Sequence, residues 1–443
     1  MHAHHATGRR RFAFRRTGEH QMETPQLIGP CGSPSLASDS ALSTAPIAVI
    51  EPASRGPSWL AVLSVAVGSF AFVATEYMPV GLLPQIARDL GVTPGTAGLM
   101  VTTPGIIAAI SAPVLLLAAG RINRRLILLT LAVLLLASNL ISAVAPSFAV
   151  MLIGRALLGA SLGGFWTVAL GASGQLVRED QAARASATIF MGITLATVIG
   201  VPLGTLIANL TSWRMSFVAT TVLAAVALAA QAVLLPSLAP KAAMRTDDFR
   251  AMLSRSNVRR SLLMVGLLFG AHFAAYTYIA PFLERSALFG ASWITAVLLG
   301  FGVVGFVANF AVSALVTRHL KASLLLLGTL VLVALFALPM VQASRAGVIA
   351  VVALWGFAYG AIPLCLSIWM QMSSPDRPEA GSSMFVSTVQ IAIALGSLGG
   401  GAVVDHLGMA ATMRFGGLLA ALSVVVMMTF NTTRATLKEV LEK

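Results

Sequence analysis

Charge is what this 443-residue sequence most lacks: 10% of its residues are Asp, Glu, Lys or Arg, against 57% hydrophobic. A soluble globular chain carries about 25% charged residues because its surface faces water. Sixteen acidic and 29 basic side chains cannot coat a 46.0 kDa body. Several soluble domains, which length alone would suggest, are therefore excluded, and a bilayer must solvate most of the surface. Cysteine is nearly absent. Cys31 and Cys365 lie far apart in unlike contexts, which removes both a disulfide framework and a Cys-based metal site. Acidic residues are scarce enough to leave a net charge of +13, which raises nucleic-acid binding until the positions of the charges are read.

Residues 1–57 hold His2, His4 and His5, then Arg9, Arg10, Arg11, Arg15 and Arg16, then a Pro/Ser/Ala-rich stretch. Nothing there is periodic, so a disordered cytoplasmic tail is expected, with Met22 a candidate start. The three histidines have no partner ligands. The paired arginines are followed by no apolar segment until Trp59, too far downstream for an export signal.

From Trp59 to Phe430 apolar runs of roughly 20 residues, enough to span a bilayer core, alternate with short polar breaks. Twelve are expected, at about 59–83, 94–119, 126–145, 149–175, 183–208, 213–235, 260–283, 291–316, 322–341, 347–372, 380–404 and 408–430. All should be helices, since a backbone in lipid must satisfy its own hydrogen bonds. With the N-terminus inside, 23 Lys and Arg fall on the cytoplasmic side and 5 on the outer side. That asymmetry is a positive-inside signature. The basicity is then an orientation signal, and no nucleic-acid partner is expected. Both termini of this multi-pass membrane protein are therefore expected in the cytoplasm.

The break between spans six and seven, with Lys241, Asp247 and Asp248, reads as a cytoplasmic linker over 236–259. It separates six-helix bundles at 58–235 and 260–430, with a second tail at 431–443. A shift of 196 residues relates the halves. It carries Ala196, Gly200 and Gly204 onto Ala392, Gly396 and Gly400, Gly164 onto Gly360, Arg125 onto Lys321, and Glu76 onto His272. Internal six-helix repeats mark secondary transporters. The fold class is therefore an all-α membrane protein of two pseudo-symmetric six-helix bundles.

A charge at the bilayer centre costs at least about 2.5–3.5 kcal/mol on insertion scales, so polar residues inside spans carry the functional reading. Glu76 lies 17 residues into the first span and Arg155 six residues into the fourth, at depths that nearly coincide in the outer half. An ion pair between them would reduce both desolvation costs. Opening it to water, or placing substrate beside it, would let Glu76 take a proton. Histidine as a residue type changes charge near neutral pH, so His272 is a candidate third member of the relay. Trp166 shares a helical face with Arg155 and Gly159, while Phe165, Tyr276, Tyr278, Tyr359, Asn309 and Gln390 are further candidates for a cavity wall. Trp166, Tyr276 and Gln390 are the chosen substrate contacts. Gly200, Pro202 and Gly204 should form a close sliding seam. Gly300-Phe301-Gly302-Val303-Val304-Gly305 matches a nucleotide-binding pattern but lies within an apolar span, so it reads as packing. No close Asp pair or His cluster occurs inside the spans, so neither an enzyme, a cofactor nor a metal is called for. A non-transporting receptor is the alternative of another class.

With these residues in view, the chain from about 58 to 430 resembles the drug:proton antiporter branch of the major facilitator superfamily. The first-helix stretch Thr75-Glu76-Tyr77-Met78-Pro79-Val80-Gly81-Leu82-Leu83-Pro84 carries the likeness, with Leu152-Ile153-Gly154-Arg155-Ala156-Leu157-Leu158-Gly159 in helix 4. Gly200-Val201-Pro202-Leu203-Gly204 and Trp213-Arg214-Met215-Ser216-Phe217 add to it. The resemblance implies a monomer that exchanges protons for a small solute. Leu162-Gly163-Gly164-Phe165-Trp166, Trp355-Gly356-Phe357 and Ala380-Gly381-Ser382 through Gln390 are similar to purine-ribonucleoside efflux permeases. His272 with Tyr276-Thr277-Tyr278-Ile279 and Pro281 is equally like sugar-efflux relatives, and chloramphenicol-type drugs are a further alternative. The loop Arg121-Ile122-Asn123-Arg124-Arg125 departs from the superfamily pattern, with Asn123 where an acidic residue is usual. A neutral hydrogen bond is expected there in place of a gating salt bridge.

Overall fold

The computed structural model describes residues 58–118, 122–238, 246–376 and 378–430. Both tails, Arg121 and part of the linker lie outside the described residues. Twelve helices are long and apolar enough to cross a bilayer, and no strand occurs among the described residues. They are α1 (Trp59–Asp89), α2 (Pro94–Leu115), α3 (Arg124–Ala143), α4 (Phe148–Trp166), α5 (Arg184–Leu210) and α6 (Trp213–Leu234). The second set is α7 (Ser256–Arg285), α8 (Ala291–Val312), α9 (His319–Ala337), α10 (Arg345–Ser373), α11 (Ala380–Leu407) and α12 (Met409–Met428). The α4 helix itself continues to Leu176, and the linker carries a short helix, Thr246–Ser254.

Local chemistry sets several starts. Ser58, Thr93, Ser147 and Ser344 each accept a backbone N–H from three residues onward, capping α1, α2, α4 and α10. The expected spans agree with these helices to within a few residues at most ends. The largest difference is α1, expected to stop at 83. It runs through Pro79 and Pro84 to Asp89, because close packing against α5 supports the backbone where proline removes a hydrogen bond.

The helices form two six-helix bundles, α1–α6 and α7–α12, which meet along α2 with α11 and α5 with α8. The 196-residue shift is visible in three dimensions. Gly200 of α5 lies against Ala74 of α1, and their counterparts Gly396 and Gly270 lie together between α11 and α7. Side chains in place of these glycines would meet the facing helix backbone or Cβ, so the small residues set the interhelical distance. Two contacts join residues to their own counterparts. Tyr77 and Phe273 have ring centroids 5.6 Å apart, and Arg88 pairs with Glu284 at 2.6 Å. In a two-fold arrangement only positions on the axis meet their equivalents, so the pseudo-axis passes between α1 and α7.

The bundles are clasped at the end remote from the described chain's termini. Asn209 of α5 donates to the Ala291 carbonyl at 3.2 Å and to Thr295 Oγ1 at 3.1 Å. Its counterpart Asp405 of α11 accepts from the Gly95 N–H at 2.9 Å and from Thr93 Oγ1 at 2.6 Å. Both pairs of positions, 209 with 291 and 405 with 95, are related by the same shift. At this remote end α1 is buried from Met78 to Ala87 except for Gln85. Toward the other end Trp166, Ile193, Tyr359, Phe385 and Val389 are half-buried. The bundles are thus closed at the remote end and less tightly joined at the termini end.

Replacing Asp405 or Asn209 by Ala should raise labelling of an Ile294→Cys reporter by a membrane-impermeant maleimide, and the double variant should raise it further. Arg88→Ala should change labelling little, because its partly exposed ion pair is worth about 0–1 kcal/mol. Unchanged labelling in the double variant would mean that apolar packing alone closes this end.

Candidate functional site

Glu76 is 3% exposed, on the α1 face that looks between the bundles. Since α1 extends to Asp89, Glu76 stands near the middle of a 31-residue helix, just past its midpoint on the side of the remote end. Its Oε1 has no hydrogen-bond partner. The Gln390 side chain of α11 lies within hydrogen-bonding reach of the carboxylate, and Gln390 Oε1 is also without a partner.

Arg155 is fully buried, but the expected ion pair with Glu76 is not formed. Its Nε donates to the Met100 carbonyl at 3.1 Å and one terminal nitrogen to the Thr75 carbonyl at 2.8 Å. Nη1 has no partner, and the Phe217 ring lies 5.9 Å from the guanidinium carbon. The cation is held by carbonyl dipoles of α1 and α2 and acts on Glu76 through space. The forked guanidinium suits this role because its donors reach two helices at once. Thr75 is the node of the arrangement. Its carbonyl accepts from Arg155, and its hydroxyl accepts from Asn139 Nδ2 at 3.2 Å. Asn139 Oδ1 accepts from Thr220 at 2.8 Å. Four helices therefore fix the backbone immediately before Glu76.

The second bundle answers with rings. His272, 2% exposed, stacks on Tyr359 with centroids 3.3 Å apart and planes 4° apart. Tyr276 stacks on it at 4.7 Å, and Trp355 meets it edge-on at 5.3 Å. Phe301 of α8 completes the group, 4.9 Å from Tyr276. His272 Nδ1 and Trp355 Nε1 have no hydrogen-bond partner. The phenols of Tyr276 and Tyr359 lie close enough to Glu76 or Tyr77 to interact electrostatically. Three of the chain's four tyrosines thus gather here, although tyrosine in membrane proteins favours the lipid–water interface.

Trp166 is half-buried and packs with Tyr77, Ala74 and Ala196, with its edge toward Phe165 at 5.5 Å. It therefore stands on the first bundle's side of the same region. Gly204 packs on Met78 of α1, alongside the Gly200–Ala74 contact. Pro202 cannot donate to the Val198 carbonyl one turn earlier, and a Cβ on Gly302 of α8 would come within 2.8 Å of that carbonyl. The glycine-rich stretch of α8 is a packing surface, as expected. Asn123 caps α3 by accepting from the Arg125 N–H at 2.9 Å, accepts from the Leu238 N–H, and donates to Ser237 Oγ at 2.7 Å. Arg125 donates to the Ala232 carbonyl at 2.7 Å. In this conformation these ties fasten α3, which Arg124 begins, to the end of α6 inside one bundle.

Sequence reasoning missed Trp355, Phe301, Tyr77, Asn139 and Thr220 as parts of the site. A signal existed: His272 with Tyr276 and Trp355 with Tyr359 are each four apart, one helical turn. Asn139 is an amide inside an otherwise apolar span. Among the described residues, no group of three or more His, Cys, Asp or Glu is placed to hold a metal ion.

Comparison with known proteins agrees with this architecture. The family model described as Major Facilitator Superfamily matches residues 65–397. The transcription regulatory protein OpdE of Pseudomonas aeruginosa is 35% identical over 383 residues, covering 85% of this chain and 94% of that protein. The purine ribonucleoside efflux pump NepI of Salmonella enteritidis is 34% identical over 372 residues, covering 84% and 93%. The crystal structure of the human organic anion transporter MFSD10 (TETRAN) shares the fold, with a TM-score of 0.62 at 18% identity, covering 85% of this chain and 100% of that one.

If Arg155 works through carbonyls, Arg155→Lys should leave the Thr75 or Met100 carbonyl unpaired and cost about 1–3 kcal/mol. Thermal unfolding of the detergent-solubilised protein should show that loss, while Glu76→Gln should be tolerated. Destabilisation by Glu76→Gln equal to that of Arg155→Lys would restore the direct ion pair.

Proposed function

Because the chain belongs to the major facilitator superfamily, we propose that this multi-pass membrane transporter is a proton-coupled antiporter that exports a small planar solute, purine ribonucleosides foremost. The observation that carries this reading is Glu76, a buried carboxylate on the pseudo-axis with an oxygen that no protein group satisfies. A buried carboxylate needs a partner or a proton. Bound substrate donating to Glu76 stabilises the anion, and a proton stabilises the neutral acid. The two occupants compete for one group, so exchange follows without direct contact between them. Arg155 supplies a fixed positive field, and His272 stands across the axis as the second member of the relay. Trp166, Tyr276 and Gln390 contact the solute.

In this reading the termini face the cytoplasm of a bacterium, as the distribution of Lys and Arg indicates. The clasped end is periplasmic, and the conformation is the one that loads solute from inside. Proton entry from the acidic side then requires the Asn209 and Asp405 clasps to part. The two bundles, 58–235 and 260–430, rock about the axis with 236–259 as linker, and the glycine seams of α5 and α11 permit the sliding. The solute path lies within one chain, so a monomer suffices. The name of the Salmonella relative supports a nucleoside; that of the Pseudomonas relative raises gene regulation, whereas the distribution of basic residues in this chain reads as an orientation signal.

In proteoliposomes with an imposed pH gradient, Glu76→Gln should abolish uphill movement of inosine while gradient-free counterflow continues. Uphill transport by that variant at the wild-type rate would sink the assignment.

A further inference from the structure

Buried polar atoms normally find partners, and two pairs do not. One is Glu76 Oε1 with Gln390 Oε1, whose side chains are within hydrogen-bonding reach. The other is His272 Nδ1 with Trp355 Nε1, whose rings meet edge-on. Tyr359 links the pairs, stacked on His272 and close to Glu76. The four atoms come from α1, α11, α7 and α10, so no single helix is misfitted. The His272 and Trp355 members lie among rings, those of Tyr276, Phe301, Tyr359 and Phe273. A saturated sugar would pair with the polar atoms and lay C–H groups on the rings, but it has no flat π-face to match theirs. An apolar drug would use the rings and leave the polar atoms unpaired. A planar nitrogen heterocycle, with a ring acceptor for Trp355 and a donor for Gln390 or Glu76, serves both.

One ring already occupies the place that such a ligand would take. Tyr359 lies flat on His272 at a 3.3 Å centroid separation, with planes 4° apart. Aromatic side chains gain more from offset or edge-on contacts than from this face-to-face arrangement, so the pairing is a replaceable one. Tyr359 is half-buried, whereas His272 beneath it is sealed. The backbone also permits the exchange. Pro363, within α10, cannot donate to the Tyr359 carbonyl four residues earlier, which loosens the helix at that turn.

We propose that Tyr359 is a built-in stand-in for the ligand's ring: a planar nitrogen heterocycle displaces it from His272 and takes the Trp355 N–H and the free oxygens of Gln390 and Glu76. This rests on the export reading for its physiological role, but not for the binding itself. The empty site is held closed by the protein's own ring, so unoccupied polar groups are shielded from ions and water until a ligand with a comparable face arrives.

Equilibrium binding of tritiated inosine and arabinose to the full chain in detergent tests the idea without any gradient. Trp355→Phe keeps a ring of similar size and removes one donor, and should weaken inosine binding about tenfold. Tyr359→Ala should tighten it severalfold, because no ring must be displaced, whereas a tyrosine that stacks directly on the ligand would give a loss. Weaker inosine binding in Tyr359→Ala, or arabinose binding in wild type that inosine does not match, overturns the proposal. A wild-type protein that binds inosine with these variant effects yet shows no gradient-driven flux would overturn the export reading and uphold the ring site. Arabinose flux without inosine binding would do the reverse.

Discussion

A carboxylate in the middle of a membrane-spanning helix is the constraint on which the rest of this molecule depends. Hydrocarbon offers Glu76 no solvation, and the protein gives it an incomplete substitute: a distant guanidinium, one amide within reach, and an oxygen with nothing to bind. Complete pairing would make a stable but inert core, since a satisfied ion pair has no reason to exchange partners. The arrangement instead spends its strong hydrogen bonds one residue away. Thr75 receives Arg155 at its carbonyl and Asn139 at its hydroxyl, so the backbone is rigid and the carboxylate remains available.

Position on the pseudo-axis gives that availability its effect. Tyr77 meets Phe273 and Arg88 meets Glu284, each residue touching its own counterpart. A group at the axis borders both bundles, so in the proposed rocking motion its surroundings would change. Groups inside a bundle, such as Asn123 on Ser237 or Asn139 on Thr220, keep their partners through a rigid-body motion. Asn209 and Asp405 bond from one bundle to the other at the remote end, which suits the work of clasping.

Much of this was legible from residues alone. Spans follow from run length, and the repeat follows from glycine spacing that three-dimensional packing reproduces at Gly200 and Gly396. The end of α1 was not legible, because Pro79 and Pro84 break helices in water and are tolerated where neighbours pack closely. The partners of Arg155 were not legible either. Sequence displays side-chain charges but not backbone carbonyls, so a lone Glu and a lone Arg at similar depth suggest an ion pair. The aromatic group around His272 is built from three helices far apart in sequence, and only the four-residue spacing within α7 and α10 hinted at it. Arg121 lies outside the described residues.

The two halves share a scaffold but no longer share chemistry. At equivalent positions the first bundle has Glu76 and the second His272, and at the clasps Asn209 corresponds to Asp405. The glycine contacts that set helix spacing have stayed equivalent, because a change in either half would misalign a common axis. The polar positions differ, and in each pair the carboxylate stands on one side and a neutral amide or an imidazole on the other. A symmetric pair of carboxylates at the axis would repel and share a single proton. A single carboxylate in one bundle and an imidazole in a box of rings in the other avoid that repulsion, and in the proposed reading the first serves as the proton site and the second as a surface for a planar solute. The duplication thus supplies two matched levers, and the loss of symmetry at the axis supplies two different tasks for them.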